Sequence, residues 1–206
     1  MATLDTPAAE PRGRREAHKV ATRKALQEAA HRLFEERGYA RTTVRDIAAA
    51  AGVTERTFFR YFPSKEDLVL DEILDLIPVV RDKVVARPAA EDPYAAVLGA
   101  ALELTAAGGV GLMFSGPPQH FPGRQVRQFL PVLSKFETGL ADALLERLTA
   151  RDPRTATPLR AAVLARAAVG AMRSALFAYT DLPEERREPA VARDLLREAF
   201  AYLRQD

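Results

Sequence analysis

The sequence of 206 residues contains no cysteine and only three histidines. Without cysteine, disulfides and thiolate metal sites are excluded, and a cytoplasmic setting is the natural expectation. The histidines His18, His31 and His120 are far apart in the sequence, and no nucleophile with its base, metal-ligand cluster or cofactor motif accompanies them. We therefore predict that the protein is not an enzyme, uses no cofactor and holds no metal.

Long apolar runs are also scarce. No run approaches the roughly 18 residues that a membrane helix needs, and no apolar stretch follows the charges near the N-terminus, so neither a membrane span nor a signal peptide is expected. The composition, 48% hydrophobic and 28% charged, is that of a globular protein of one or two domains with enough apolar side chain for a core.

Positive charge is concentrated in the first third of the chain. Residues 1–65 contain 13 Lys and Arg against 8 Asp and Glu, whereas residues 66–206 contain 17 against 20. This asymmetry indicates that the N-terminal part meets a polyanion, although a solvated charge pattern would give the same counts. We assign residues 1–18, which are rich in Pro, Ala and charge, to a flexible basic arm.

The sequence of residues 19–66 predicts three helices. A helix from Val20 has one apolar stripe and ends at Gly38. Thr43, followed three residues later by Asp46, has the form of a capping box and starts a helix that ends at Gly52. Thr54 is a second N-cap, and Pro63 limits the helix after it to about two turns. Two short helices joined by a tight turn predict a helix-turn-helix unit.

The helix after Thr54 has two chemically distinct faces. Phe58 and Phe62 share an apolar face, whereas Arg56, Thr57 and Arg60 share the other. Guanidiniums on a helix of this size suit the DNA major groove, where Arg pairs with N7 and O6 of guanine. Lys65 begins the next helix, a position that suits a phosphate. A small amphipathic helix with a solvated basic face is the alternative.

The stretch TTVRDIAAAAGVTERTFFRYFPSKEDLV, residues 42–69, resembles the N-terminal signature of the TetR family of transcriptional regulators. The similarity covers residues 20 to about 70 without a gap. It implies an all-α protein in which the helix-turn-helix is followed by a helical effector-binding and dimerisation domain, residues 67–206. It also implies a cytoplasmic homodimer that binds a palindromic operator in double-stranded DNA and is a repressor released by a small molecule.

The resemblance also implies roles for individual residues. The positions expected to contact bases or backbone are Thr43, Thr54, Arg56, Thr57, Arg60, Tyr61 and Lys65, with Thr43, Tyr61 and Lys65 on phosphates. Two positions depart from the common pattern. Phe59 stands where a tyrosine hydroxyl usually meets a phosphate, and Arg56 stands where glycine is frequent, so the operator sequence remains open.

The rest of the chain predicts further helices. Pro78 interrupts the helix after Leu68, and the sequence leaves open whether it marks a kink or a helix end. The two C-terminal helices have wide apolar faces that predict a homodimer interface, with packing inside one chain as the alternative.

An apolar effector pocket is expected between these helices, with Arg173 facing a polar or acidic end of the ligand. A DNA-binding protein that acts constitutively or as an activator without an effector, and an enzyme, are the alternatives. The expected lining residues are Leu104, Met113, Phe114, Phe121, Phe129, Phe136, Met172, Arg173 and Phe177.

Overall fold

The computed structural model describes residues 10–106 and 124–204, and within these ranges all regular structure is helical. This confirms the all-α prediction. The chain divides into two compact units, Met1–Lys65 and Glu66–Asp206. The helices are α1 (Glu10–Arg37), α2 (Val44–Ala50), α3 (Glu55–Tyr61), α4 (Lys65–Ala86), α5 (Pro93–Ala106), α6 (Arg124–Arg151), α7 (Pro158–Thr180) and α8 (Pro189–Tyr202), with a 3₁₀ turn at Glu184–Arg186.

Helix α1 begins ten residues earlier than the sequence suggested. Residues 10–18, which we assigned to a flexible arm, form its first turns. Pro11 lies at the second helical position, where a missing N–H costs nothing, and the Arg, Glu, Ala and Lys residues that follow are good helix formers. Glu16 and Lys19 also lie 3.8 Å apart as an i,i+3 ion pair. Local propensity therefore outweighs the lack of an apolar face in this segment.

The two helices that follow α1 are defined by local capping. Gly38 ends α1 with a φ of 79°, and Gly52 has a φ of 68° after α2, both in the left-handed region that glycine tolerates. The predicted capping box at Thr43 and Asp46 is present at the start of α2. Thr54 caps α3 by accepting a hydrogen bond from the backbone N–H of Thr57 at 3.2 Å. These sequence predictions are confirmed.

The second unit packs α5 to α8 with most of α4 around one apolar core. Helix α7 lies between α6 and α8, and α5 packs on both α7 and α8. Small side chains line much of α7, which lets its neighbours approach closely. The most deeply buried core residues are Val84, Val97, Ala100, Leu140, Ala143, Leu144, Ala161, Ala165, Ala168 and Phe200.

Helix α4 continues through Pro78, so this proline marks neither a helix end nor a fresh start. A proline removes one backbone hydrogen bond, but Ile77 and Val80 pack against the core on either side of it and hold the helix in place. Gly139 of α6 lies against Ile77 of α4. A Cβ built there would lie 2.5 Å from Cγ2 of Ile77, so only glycine allows the observed packing.

The connection between α4 and α5 is held by a buried arginine. Arg147 of α6 is 5% exposed and donates hydrogen bonds to the carbonyls of Val84, Arg87, Pro88 and Glu91. Burial lowers the pKa of Arg147, but a guanidinium stays protonated at neutral pH. One cation thereby satisfies carbonyl groups that the end of α4 leaves without helical partners.

Helix α7 is long and apolar enough to cross a membrane by length and composition alone, in contrast to the expectation from sequence. A core helix of a globular protein passes the same test, so one such helix is weak evidence for a membrane span. Ala161, Ala165 and Ala168 are buried against the core, which gives the apolar composition of α7 a structural reason.

Candidate functional site

The two faces predicted for α3 are present in the structure. Phe58 is fully buried, and its ring centroid lies 5.7 Å from that of Phe62, which is also buried. Arg56 and Arg60 are exposed on the opposite side, with Thr57 half-buried between them. The aromatic face therefore fixes α3 within the first unit, and the guanidiniums are presented outward.

Among the described residues, neither exposed arginine of α3 forms an ion pair with an acidic side chain. Within residues 10–106 and 124–204, no carboxylate lies within ion-pairing distance of Arg56. The Arg60 guanidinium lies 5.2 Å from the ring centroid of Tyr61, which is half-buried, and this cation–π contact orients it. Both guanidiniums can therefore form hydrogen bonds to an external acceptor.

The two threonine caps use their side chains within the chain. Thr43 donates both its backbone N–H, at 2.9 Å, and its hydroxyl, at 2.6 Å, to the Asp46 carboxylate. The Thr54 and Thr57 hydroxyl oxygens lie 3.0 Å apart and share a hydrogen bond. All three residues lie beside the exposed ends of α2 and α3, but a phosphate at Thr43 would compete with Asp46.

The Asp46 carboxylate is held in its charged form. The hydrogen bonds from the hydroxyl and backbone of Thr43 lower the pKa of Asp46 most, and the charge and hydrogen bond of Arg37, 3.1 Å away, lower it further. The capping box therefore stays ionised at neutral pH.

Lys65 has different partners from those expected of a phosphate ligand. Its Nζ donates to the carbonyls of Tyr39 and Thr42, each at 2.8 Å. The same ammonium lies 3.8 Å from the centroid of the Tyr39 ring. The side chain is half-buried. Lys65 thus contacts the connection between α1 and α2.

Two further residues belong to the exposed surface of α2 and α3. Arg45 lies in the first turn of α2 and is exposed, and sequence reasoning did not select it. Its position two residues after the N-cap was the available signal. Phe59, which sequence reasoning treated only as the loss of a tyrosine hydroxyl, is 51% exposed beside Arg56 and Arg60. Its ring packs edge-on against Phe58, with the centroids 5.5 Å apart.

The second unit contains an apolar cavity of about 50 Å³. The one hydroxyl in its lining, that of Thr105, already donates to the Ala101 carbonyl at 2.8 Å, so the lining offers contacts to apolar groups. Five helices contribute to it. The lining residues are Leu76, Val80, Val97, Ala101, Leu104, Thr105, Phe136, Met172, Leu176 and Leu196.

Three of the nine residues expected to line an effector pocket, Leu104, Phe136 and Met172, line this cavity. Arg173 and Phe177 do not line it. They contact each other, with the guanidinium 5.7 Å from the ring centroid. Met113, Phe114, Phe121 and the side chain of Phe129 lie outside the residues that the structure describes.

An open groove of about 560 Å³ runs between α7 and α8. Its α7 side consists of small residues centred on Gly170. A Cβ at Gly170 would meet none of the described atoms of the chain within 4 Å, so their packing does not require glycine there. The groove is lined by Ala167, Gly170, Ala171, Ser174, Ala175, Ala178, Leu195, Glu198, Ala199, Tyr202 and Leu203. In the described part of the chain, no group of three or more His, Asp or Glu side chains could hold a metal ion.

The family model of bacterial regulatory proteins of the tetR family matches residues 26–71. The regulator TcmR of Streptomyces glaucescens is 43% identical over 79 residues, which are 38% of this chain and 35% of TcmR. The repressor KstR2 of Rhodococcus jostii is 50% identical over 56 residues, 27% of each chain. The matched stretch thus spans about a third or less of these relatives.

Solved structures resemble the chain over most of its length. FadR of Thermus thermophilus, a TetR-family transcriptional repressor in complex with lauroyl-CoA, has a TM-score of 0.57 at 24% identity, covering 86% of this chain and 92% of FadR. A TetR-family regulator of Syntrophomonas wolfei has a TM-score of 0.59 at 16% identity, covering 89% and 93%. Over residues 26–71 the chain is therefore similar to bacterial regulatory proteins of the tetR family, and over most of its length it shares the fold of these two solved structures.

Proposed function

We propose that the protein is a sequence-specific DNA-binding transcriptional repressor that reads the major groove with α3. The observation that carries this proposal is the pair of exposed guanidiniums, Arg56 and Arg60, on a helix whose opposite face is anchored by buried Phe58. An arginine that is free of acidic partners and fixed on a short helix suits bidentate pairing with guanine. Thr54, Thr57 and Tyr61 flank these arginines and are suited to backbone contacts that set the register.

The proposed functional form is a homodimer in which α7 and α8 of two copies pack together. The groove between these helices supports this arrangement because its walls are mostly apolar and small. Glycine in the middle of a helix costs about 0.5–1 kcal/mol relative to alanine, and none of the residues that the structure describes packs closely enough on Gly170 to require it. Close approach of a partner helix in the dimer would explain why glycine occupies this position.

The proposed effector is a small, largely apolar molecule that binds the second unit. The support is the apolar cavity, which Leu104, Phe136 and Met172 line together with aliphatic side chains of α4, α7 and α8. For such a ligand to release the repressor, it must bind the DNA-free form more tightly, typically by about 1–3 kcal/mol. Arg173 contacts Phe177, so a polar end of the ligand would have to displace that contact to reach it.

A second candidate is a DNA-binding protein that acts without an effector, either constitutively or as an activator. The volume of the cavity favours it, because about 50 Å³ between the described residues is far below the roughly 300–1,000 Å³ of typical ligand sites. The two candidates share the DNA-binding mode and differ in whether a ligand changes operator affinity.

Selection of bound fragments from the native genome tests the proposal. We expect enrichment of a palindrome whose half-site centres lie about 34–36 Å apart, because two recognition helices of a symmetric dimer must face the same side of the duplex. Compounds related to the products of neighbouring genes are then titrated into the complex. No enriched sequence would contradict DNA reading, and an enriched operator whose affinity no bound compound changes would favour the second candidate.

A further inference from the structure

We propose that Lys65 is a positioning residue that closes the helix-turn-helix, and that it does not contact a DNA phosphate. This inference rests on the proposed DNA-binding function and assigns a role within it. Its ammonium is occupied by the Tyr39 and Thr42 carbonyls, at 2.8 Å each, and by the face of the Tyr39 ring. A phosphate would have to replace charge-assisted hydrogen bonds that already exist in the DNA-free protein.

These hydrogen bonds connect two segments of the chain that flank the helix-turn-helix. Tyr39 and Thr42 lie in the connection that leads from α1 into α2, whereas Lys65 follows α3. The ammonium therefore joins the chain segment before the helix-turn-helix to the segment after it. A cation in the first turn of a helix is unfavourable beside the positive end of the helix dipole, and the two carbonyls compensate this cost.

The connection that Lys65 holds also positions the cap of α2. The buried hydroxyl of Thr42 donates to the Gly38 carbonyl at 2.9 Å, and its backbone N–H donates to the Tyr39 carbonyl at 3.2 Å. Thr43, the next residue, carries the capping box. Loss of the ammonium would leave the Tyr39 and Thr42 carbonyls without this donor and loosen the segment that places α2, and through it α3.

The test compares Lys65→Met, which keeps the aliphatic stem, with Lys65→Gln, which keeps an uncharged donor. The matched control is Lys24→Met, because Lys24 is 73% exposed on α1 and pairs only with Glu28 among its described contacts. In the DNA-free full-length protein, we expect amide hydrogen exchange at Thr42 and Asp46 to rise roughly tenfold in Lys65→Met. A smaller rise is expected in Lys65→Gln and none in the control. Unchanged exchange in Lys65→Met would overturn the proposal.

The second readout is the salt dependence of operator binding. We expect Lys65→Met to weaken binding roughly tenfold while the slope of log affinity against log salt stays at the wild-type value, because no phosphate contact is lost. A slope reduced by about 0.9, the contribution of one phosphate, would contradict the positioning role. If the wild type binds no DNA, the proposed function fails, but the exchange measurement still decides the role of Lys65. If Lys65→Met does not fold, Lys65→Gln provides both readouts.

Discussion

The two units of the chain each use one basic side chain to hold a connection between helices, but they do so at different depths. Lys65 donates to two carbonyls beside the helix-turn-helix and is half-buried. Arg147 donates to four carbonyls in the last turn of α4 and the connection after it, and it is almost fully buried. The first connection is also supported by local caps, whereas the second depends on a side chain from a helix 56 to 63 residues away in sequence.

This difference predicts where each unit is sensitive to change. In the first unit, the caps at Gly38, Thr43 and Thr54 each stabilise a different helix end. Loss of any one cap should therefore lower the stability of this unit only in part. In the second unit, one buried guanidinium, that of Arg147, donates to four carbonyls, of which that of Pro88 also accepts from the backbone N–H of Glu91. Buried acceptors that lose their donor carry the full cost of desolvation.

The largest effect is expected from breaking the second connection. Arg147→Met should lower the free energy of unfolding by roughly 2–4 kcal/mol, because the carbonyls of Val84, Arg87, Pro88 and Glu91 lose a charged donor. Urea unfolding followed by circular dichroism measures this. Arg151→Met, one turn later on α6 and exposed, is the control and should change stability little. Equal effects of the two variants would show that the buried contacts do not carry this stability.

A smaller loss is expected from Gly139→Ala in the same unit. The new Cβ would lie 2.5 Å from Cγ2 of Ile77, and such overpacking costs about 1–3 kcal/mol. Ile77→Ala in the same chain should remove the clash, so the two substitutions should be less than additive in urea unfolding. Strict additivity would mean that the close approach of α4 and α6 is not the source of the loss.

Gly170→Ala adds the same methyl group at a position where no atom of residues 10–106 or 124–204 lies within 4 Å. The dissociated chain should gain about 0.5–1 kcal/mol from the better helix former, whereas the proposed dimer should weaken. Sedimentation over a range of concentrations measures the second effect, and urea unfolding at low concentration measures the first. A dimer of unchanged affinity would place the interface elsewhere.

The smallest effect concerns the local caps of the first unit. Because the pKa of Asp46 is lowered in the folded protein, its contribution is complete above its unfolded pKa of about 3.9 and is lost as the pH falls from there toward the folded value. Amide exchange at the start of α2 should therefore rise, after correction for intrinsic rates, as the pH falls below about 4. In Asp46→Asn this additional rise should be absent. If the wild type shows no such rise, the ionised carboxylate of Asp46 does not stabilise the start of α2.

Sequence reasoning reached the features that depend on neighbouring residues. Gly38, Thr43, Gly52 and Thr54 act within a few residues of themselves, so their capping roles could be predicted before any tertiary contact was known. The two faces of α3 followed from helical spacing in the same way.

The features that sequence reasoning missed depend on contacts across the chain. The carbonyl partners of Lys65 are 23 and 26 residues away, and those of Arg147 are more distant still. The cavity combines five helices, so Leu104, Phe136 and Met172 could be selected as apolar residues of central helices, but Leu76 and Leu196 could not. The early start of α1 was missed because its first turns have no apolar stripe, which was the signal used to find helices.

In the proposed function, α3 reads DNA sequence through its exposed arginines, Arg56 and Arg60. The most direct test is the ratio of affinities for the selected operator and for a scrambled duplex of the same length, measured at one salt concentration for the wild type, Arg56→Ala and Arg60→Ala. We predict that each substitution costs about 1–3 kcal/mol on the operator and much less on the scrambled duplex, so that the ratio falls. If both variants bind the two duplexes with the wild-type ratio, α3 does not read the sequence through these residues.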